Sequence, residues 1–505
     1  MKHVIHYLAP LYATGIALFG CASNDITTPD TDSDTAELAA NDVASDHAAQ
    51  AVSLRFVHGS PSAPALDIYI GASTAPLFTA VSFGTATPYA RVAPDGLQLV
   101  VRTAGAAATD APLFTSAVIT AAVGDRITSI AGGNVGSTLA TAAFRVQAFT
   151  EGFARAERGT TMVRFVQDTF GFGTAAFDLH ADGTVEASAD SFAASDAAGV
   201  AVRKSVFPVQ LAVNTGAVSK RLTAFTLSPE LLEHRDGVFL VMVGASSFVP
   251  SDPRGVSLIA VGSHGATVIR QNPTVYFLPV IPDSATVDVF AFGAGFPTAR
   301  LGQDVGFGAL APALQVAPSE FGYALVVTRP STDAHPEFPL AVASTGALVA
   351  GERYLAVAAG FAERGRAPVR ITVVHDGFDR TTVTAARFRA IAAAADAPSV
   401  DFGQFPPGTD TAFVAFDGLG DLSYRASSAE PGVQVSAAPL NPGVQVTGTS
   451  VALHFRSGAL IATDRAFGIF AGAFAPMAAD TSSRFVIVKT PASGVWTAVA
   501  LVPQP

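Results

Sequence analysis

The sequence predicts an all-β chain: four tandem Ig-like β-sandwich domains that follow a signal peptide and a disordered tether. Three observations carry this. An Asp between apolar residues of a short strand recurs at Leu66-Asp67-Ile68, Phe177-Asp178-Leu179, Val287-Asp288-Val289 and Val400-Asp401-Phe402, in steps of 111, 110 and 113 residues. A polar turn feeding an apolar strand that stops at Gly keeps the same period. It reads Gly124-Asp125-Arg126 before 127–132, Gly351-Glu352-Arg353 before 354–360 and Thr463-Asp464-Arg465 before 466–472, with a looser relative, Arg235-Asp236-Gly237, before 238–244. The composition, 49% hydrophobic and 14% charged with 45 Gly and 32 Pro, suits short strands and turns rather than long helices. A length of 505 residues allows four units of about 110, each large enough for its own core.

Residues 1–21 read as an export signal. Met1-Lys2-His3 is a weakly positive start, 4–20 is apolar, and the stretch ends at Leu18-Phe19-Gly20-Cys21, which is similar to a bacterial lipobox. In that case Cys21 is acylated, becomes the first mature residue, and makes the membrane a partner through its lipid. Ala22 rather than Asp follows it, which favours the outer membrane within the cell envelope. Cys21 is the only Cys, so no intramolecular disulfide staples the domains. Residues 22–52 hold seven acids, no Lys or Arg and no apolar periodicity, the composition of a disordered acidic tether. Asp30-Thr31-Asp32-Ser33-Asp34 begins like a calcium loop but lacks Gly at the sixth place and has Asn41 where Glu is required, so it reads as a solvated spacer.

The sandwich repeats are expected at 53–153, 161–263, 274–375 and 388–505, joined by short linkers, each stable enough to isolate, with room for neighbouring repeats to support one another. The first opens with a strand at 54–58, turns through Pro61 and Pro64, and continues with strands near 66–70, 97–102, 113–120, 127–131 and 144–149, at the spacing of a two-sheet sandwich. Phe56-Val57-His58-Gly59-Ser60-Pro61 with Pro64, Leu66-Asp67-Ile68-Tyr69, Phe83-Gly84 and Gly124 closely resembles the domain of unknown function 4397 family. The resemblance implies extracytoplasmic β-domains, often in tandem and often on bacterial lipoproteins, and no established activity. Repeat 3 keeps Asp288, Phe307-Gly308 and Gly351. Repeat 4 keeps Asp396-Ala397-Pro398 and Asp401, and repeat 2 little beyond Asp178 and its first strand.

No catalytic, cofactor or metal site is expected. The ten His form no H-x-x-x-H or H-E-x-x-H pair, and there is no G-x-S-x-G elbow, Walker loop or dinucleotide fingerprint. His58, two residues from Ser60, reads as a turn His satisfied by backbone rather than as a base. Residues 53–505 carry 34 acids against 29 bases, which argues against nucleic acid as a partner. With 36 Phe against 8 Tyr and one Trp, the aromatics read as core rather than as sugar platforms, Trp496 and Tyr424 being the candidates for exceptions. Strand alternation turns Asp67, Asp178, Asp288 and Asp401 away from the main core. Arg55, Arg164 and Arg389, with Tyr276 in repeat 3, stand one strand earlier, so an ion pair with that Arg, or bonds to amides of the Pro-rich turn, is the expected role of the Asp. The functional expectation is a lipid-anchored cell-envelope protein with a non-enzymatic structural, adhesive or ligand-binding role, its partner an envelope protein or glycan. The alternative is a carbohydrate-binding or hydrolytic protein with its site in inter-strand loops.

Overall fold

The computed structural model describes residues 51–504 apart from 216–219, 234–236, 264, 294–295, 331–338, 364, 407–411, 437–439, 457–459, 461–462 and 477–481. The signal peptide, Cys21 and the tether up to residue 50 lie outside the described residues. Strands form eight sheets, two to each of four domains, and the helical content among the described residues is one 3-10 turn at Pro229–Leu232.

Domain 1 sets the pattern. Its strands are β1 (Val52–His58), β2 (Leu66–Ile70), β3 (Phe78–Val81), β4 (Ala90–Val92), β5 (Leu99–Thr103), β6 (Phe114–Thr115), β7 (Arg126–Gly132) and β8 (Arg145–Thr150). One sheet runs β4-β1-β7-β8 and the other β3-β2-β5-β6. Leu54 and Phe56 of β1, Leu66 and Ile68 of β2, Leu99 and Val101 of β5 and Ile127 of β7 fill the space between them, all fully buried. The two-sheet layout is the one the strand spacing predicts. A further detail escapes that spacing: β1 and β7 pair in parallel, Ser53 opposite Arg126 through His58 opposite Ala131, at the centre of their sheet.

The same parallel pair recurs in every domain, between 160–167 and 238–243, 274–280 and 353–359, and 386–392 and 465–471. Parallel strands are found where both faces are covered, and they read as unbroken apolar runs. Here the cover comes from the neighbouring domain. Val57 and Ile130 of domain 1 pack with Val166, Phe239, Val241 and Ile259 of domain 2. Leu278, Leu355 and Val357 of domain 3 pack with Ile391, Phe467, Ile469 and Val488 of domain 4. The β1–β7 sheet is therefore the inner sheet of each domain, buried against its own partner sheet on one side and against the next domain on the other. Each fully buried Val, Leu, Ile or Phe contributes about 1.5–3 kcal/mol over exposure.

The four domains thus come as two pairs with distinct halves. Domains 2 and 4 extend the inner sheet by one more edge strand, Gly265–Arg270 and Thr497–Leu501. Domains 1 and 3 carry the Phe-Gly step where that strand passes. A Cβ on Gly84 would lie 2.4 Å from Val268 Cγ2, and one on Gly308 3.1 Å from the Ala500 Cβ, so Gly lets the two domains close. Two expectations change accordingly. The linker expected at 264–273 contains strand Gly265–Arg270, which belongs to the inner sheet of domain 2. And each repeat on its own leaves an apolar inner-sheet face that its neighbour covers, which sets the expectation of separable repeats against the packing.

Residues 51–154 produced alone should self-associate or melt well below residues 51–272, as read by size exclusion and thermal melts. A monomeric single domain as stable as the pair would show that the seam contributes nothing.

Candidate functional site

The recurring Asp holds backbone, at a place the sequence did not indicate. Asp67 Oδ1 accepts from the Ala80 amide at 2.7 Å and its Oδ2 from the Gly105 amide at 2.9 Å. Asp288 Oδ1 accepts from the Asp304 amide at 2.8 Å and its Oδ2 from Arg300 Nη2 at 2.9 Å. Asp401 Oδ1 accepts from the Asp421 amide at 2.7 Å and Thr447 Oγ1 at 2.8 Å. Ala80, Asp304 and Asp421 have φ of 49°, 50° and 52°, a left-handed conformation costly for a residue with a side chain. Opposite Asp67 and Asp288 the strand register slips, marking a β-bulge. In domain 2, Asp178 accepts from the amides of Asp182 and Gly183 at 3.1 and 3.0 Å, just past His180 and Ala181, both at positive φ. The carboxylate thus pins a strained bend. No group of three or more candidate metal ligands occurs among the described residues.

Neither partner expected for this Asp is the right one. β1 and β2 belong to opposite sheets, so Arg55 and Asp67 point away from each other across the sandwich, and the same holds in the other domains. The Arg serves the seam instead. Arg55 Nη1 donates to the Gly262 carbonyl of domain 2 at 2.7 Å, and Arg164 Nη1 donates to the Thr150 carbonyl of domain 1 at 2.8 Å. These are equivalent atoms exchanged about a pseudo-twofold axis, with the Phe239 ring 5.9 and 5.6 Å from the two guanidinium carbons. The second pair keeps half of the exchange: Arg389 Nη1 donates to the His375 carbonyl at 2.6 Å, while Tyr276 stacks on Trp496 at 4.0 Å. Trp496, 2% exposed, is a seam residue and not a sugar platform, and the Tyr424 hydroxyl is spent on the Ala359 carbonyl.

Beside each seam the linker forms a charged cleft, from a motif that sequence reading missed. Glu151-Gly152-Phe153-Ala154-Arg155 recurs 225 residues later as Asp376-Gly377-Phe378-Asp379-Arg380. The acid is held by the Arg that opens the β7-type strand: Arg126 Nε lies 3.4 Å from Glu151 Oε2, and Arg353 Nη2 lies 2.6 Å from Asp376 Oδ2. The Phe enters the seam, Phe153 against Phe239 at 5.1 Å and Phe378 against Phe467 at 4.9 Å. Glu151 is nearly buried and fully engaged, with Arg55 Nη2 at 3.1 Å and the hydroxyls of Tyr89 and Thr128 donating to it. Tyr89 lies between two guanidinium groups, Arg55 at 4.8 Å and Arg126 at 4.6 Å from its ring centre, and burial pushes its hydroxyl up to about 12.

The final Arg of the motif differs between the pairs. Arg380 folds back, Nη2 to Asp376 at 2.9 and 3.0 Å and to Thr490 Oγ1 at 3.0 Å, and the cleft beside it, about 220 Å³, is walled on its other side by Val249, Ser251, Asp252 and Pro253 of domain 2. Arg155 is exposed and makes no ion pair or hydrogen bond among the described residues, and its cleft measures about 790 Å³. At the rim of the second pair, His375 bridges two carboxylates, Glu352 at 2.8 Å and Glu430 at 3.1 Å, which raise its pKa above the usual imidazole value.

The first seam also buries Asp168. Its carboxyl lies over the Gly132 backbone, where a Cβ would come within 1.8 Å of Oδ2, and neither oxygen finds a hydrogen-bond partner among the described residues. Desolvation raises its pKa well above the usual carboxylate range, with Arg145 opposing. His58, also buried here, is satisfied by backbone on both nitrogens: Nδ1 accepts from the Ser60 amide and Nε2 faces the Pro64 carbonyl. Ser60 Oγ donates to the Gly133 carbonyl, which leaves no nucleophile–base pair.

Residues 52–176 match the model of the family described as domain of unknown function (DUF4397). The match covers all of domain 1, including the residues on which the resemblance rests, and runs into the second domain. Comparison with curated proteins gave no match.

Two outcomes test these assignments. Asp288→Ala removes a fully buried carboxylate that accepts from Arg300 and from a positive-φ amide, and should cost about 3 kcal/mol in denaturant melts; Asp401→Ala, half-buried, should cost about 1 kcal/mol. Equal losses would reject the burial argument. For Asp168, a raised folded-state pKa means the folded protein holds a proton that the unfolded chain releases near the ordinary carboxylate pKa. Stability should then fall as pH rises from that value towards the folded-state pKa. Asp168→Asn should flatten this dependence and raise the melting temperature at pH 8 more than at pH 5. A variant that tracks the wild type at both pH values would place the proton elsewhere.

Proposed function

We propose that this chain is a lipid-anchored protein of the bacterial cell envelope, held to the outer membrane at Cys21, with a non-enzymatic role that is structural, adhesive or ligand-binding. Leu18-Phe19-Gly20-Cys21 and the acidic stretch after it support the anchor and its spacer. The observation that carries the role is the construction of the pairs. Inner sheets share one core across each seam, and the start of the linker is fastened by an ion pair and by a Phe packed into the seam. A pair so fastened has no hinge to close over a substrate. It suits a body that presents surfaces at a fixed geometry to an envelope protein or glycan.

Cys21→Ser expressed in the native bacterium should accumulate as an unprocessed precursor that takes up no labelled fatty acid, whereas the wild type should be processed, labelled and partition into detergent. A mature, unlipidated wild-type protein with its N-terminus at another residue would overturn the anchor.

A further inference from the structure

We infer that the open cleft between domains 1 and 2 is a binding site for a small, multiply charged anion carrying carboxylate or phosphate groups. The protein supplies its own comparison. In the second pair the motif Arg, Arg380, has a carboxylate to close on, because among the described residues Asp376 engages Arg353 and Thr490 besides it and no others. In the first pair the oxygens of Glu151 are already taken by Arg55, Arg126, Tyr89 and Thr128. Arg155 therefore stands at the same place with its internal acceptor gone. An anion from outside would supply what Asp376 supplies to Arg380.

Charge and shape agree. The chain has 30 Lys and Arg against 41 acids, yet this cleft gathers Arg126, Arg155, Arg158 and Lys204 around Glu151 and Glu157, and the charge of Glu151 is already met by Arg55. The cations come from both domains and from the linker between them. Arg126 is fixed by Tyr89 and Glu151, and Lys204 is held by the Glu233 carbonyl at 2.8 Å, so two walls are preset while Arg155 and Arg158 remain open to solvent. Guanidinium groups bind carboxylate and phosphate through paired N–H donors, which a multiply charged ligand would engage at more than one Arg. A volume of about 790 Å³ accommodates a molecule of two or three sugar units rather than a bare ion. The inference does not depend on the lipid anchor.

The test uses the full chain in detergent and calorimetric titration at low and high salt, with trigalacturonate, tripolyphosphate and neutral maltotriose as probes. At least one anion should bind with one site per chain, more weakly at high salt, and maltotriose should not bind. A preference for trigalacturonate identifies a sugar acid, a preference for tripolyphosphate a phosphate ligand, and equal binding a site that reads charge alone. Arg155→Ala and Arg158→Ala should each weaken binding about tenfold or more without lowering the melting temperature, and Arg380→Ala should leave the affinity unchanged. Failure of both anions to bind, or binding that survives the Arg155→Ala, Arg158→Ala double substitution, would overturn the assignment.

Discussion

The parallel strand pair at the centre of each inner sheet is the constraint from which the arrangement follows. Such a pair leaves no polar face for water: Val238–Val243, Arg353–Ala359 and Arg465–Ala471 are buried along their whole length. Each inner sheet must therefore find a second cover, and the cheapest one is a copy of itself turned about a twofold axis. Once two inner sheets face each other, the outward Arg of each first strand is trapped in the seam. Its guanidinium then needs acceptors that the opposite domain provides as strand-end carbonyls. The Arg exchange between domains 1 and 2 is the solution for identical partners. The Arg389 and Trp496 arrangement in the second pair shows how one half can be replaced by aromatic stacking once the halves diverge.

On the outer sheets the energetics are local. In domains 1 and 3 a left-handed residue in the third strand and its bulge cost about 1–3 kcal/mol, and the Asp offsets this by accepting the amide that the bulge frees from the ladder; in domain 4 the left-handed residue, Asp421, lies in the loop after that strand. This explains why an acid persists where a Thr would suit the strand better: Thr has a single oxygen and no charge to attract the donors. Domain 2 reaches the same end differently, through the turn at His180–Gly183.

Much of the fold was legible in the sequence, because it is written in short-range pattern. The Asp period, the Gly-ended apolar strands and the turn spacing locate the four sandwiches. The strand-ending Gly has a plain reason: at Gly244 and Gly472 a Cβ would meet a carbonyl oxygen of the returning chain at 2.3 and 2.6 Å. The partner of the Asp was not legible, since adjacency in sequence was taken for adjacency in space, while β1 and β2 go to different sheets. The pairing of domains left two traces that periodicity at 110 residues hides. The apolar runs are continuous rather than alternating, and Phe83-Gly84 returns as Phe307-Gly308 only in the third repeat. The linker cleft was the least visible, because its motif also repeats at the double period and lies where polar residues are read as connectors.

The last edge strand of domain 2, Gly265–Arg270, has a consequence for the order in which the chain can be completed. Domain 1 has all its own strands once residue 150 exists, but the strands that cover its inner face end at Gly262 and Arg270. At a synthesis rate of about 5–20 residues per second, the intervening stretch of about 110 residues takes roughly 6–22 s. During that interval a finished sandwich displays an apolar sheet face with nothing to bury it against, and domain 3 repeats the exposure later. The first half of each pair thus carries an uncovered apolar face until the second half is complete.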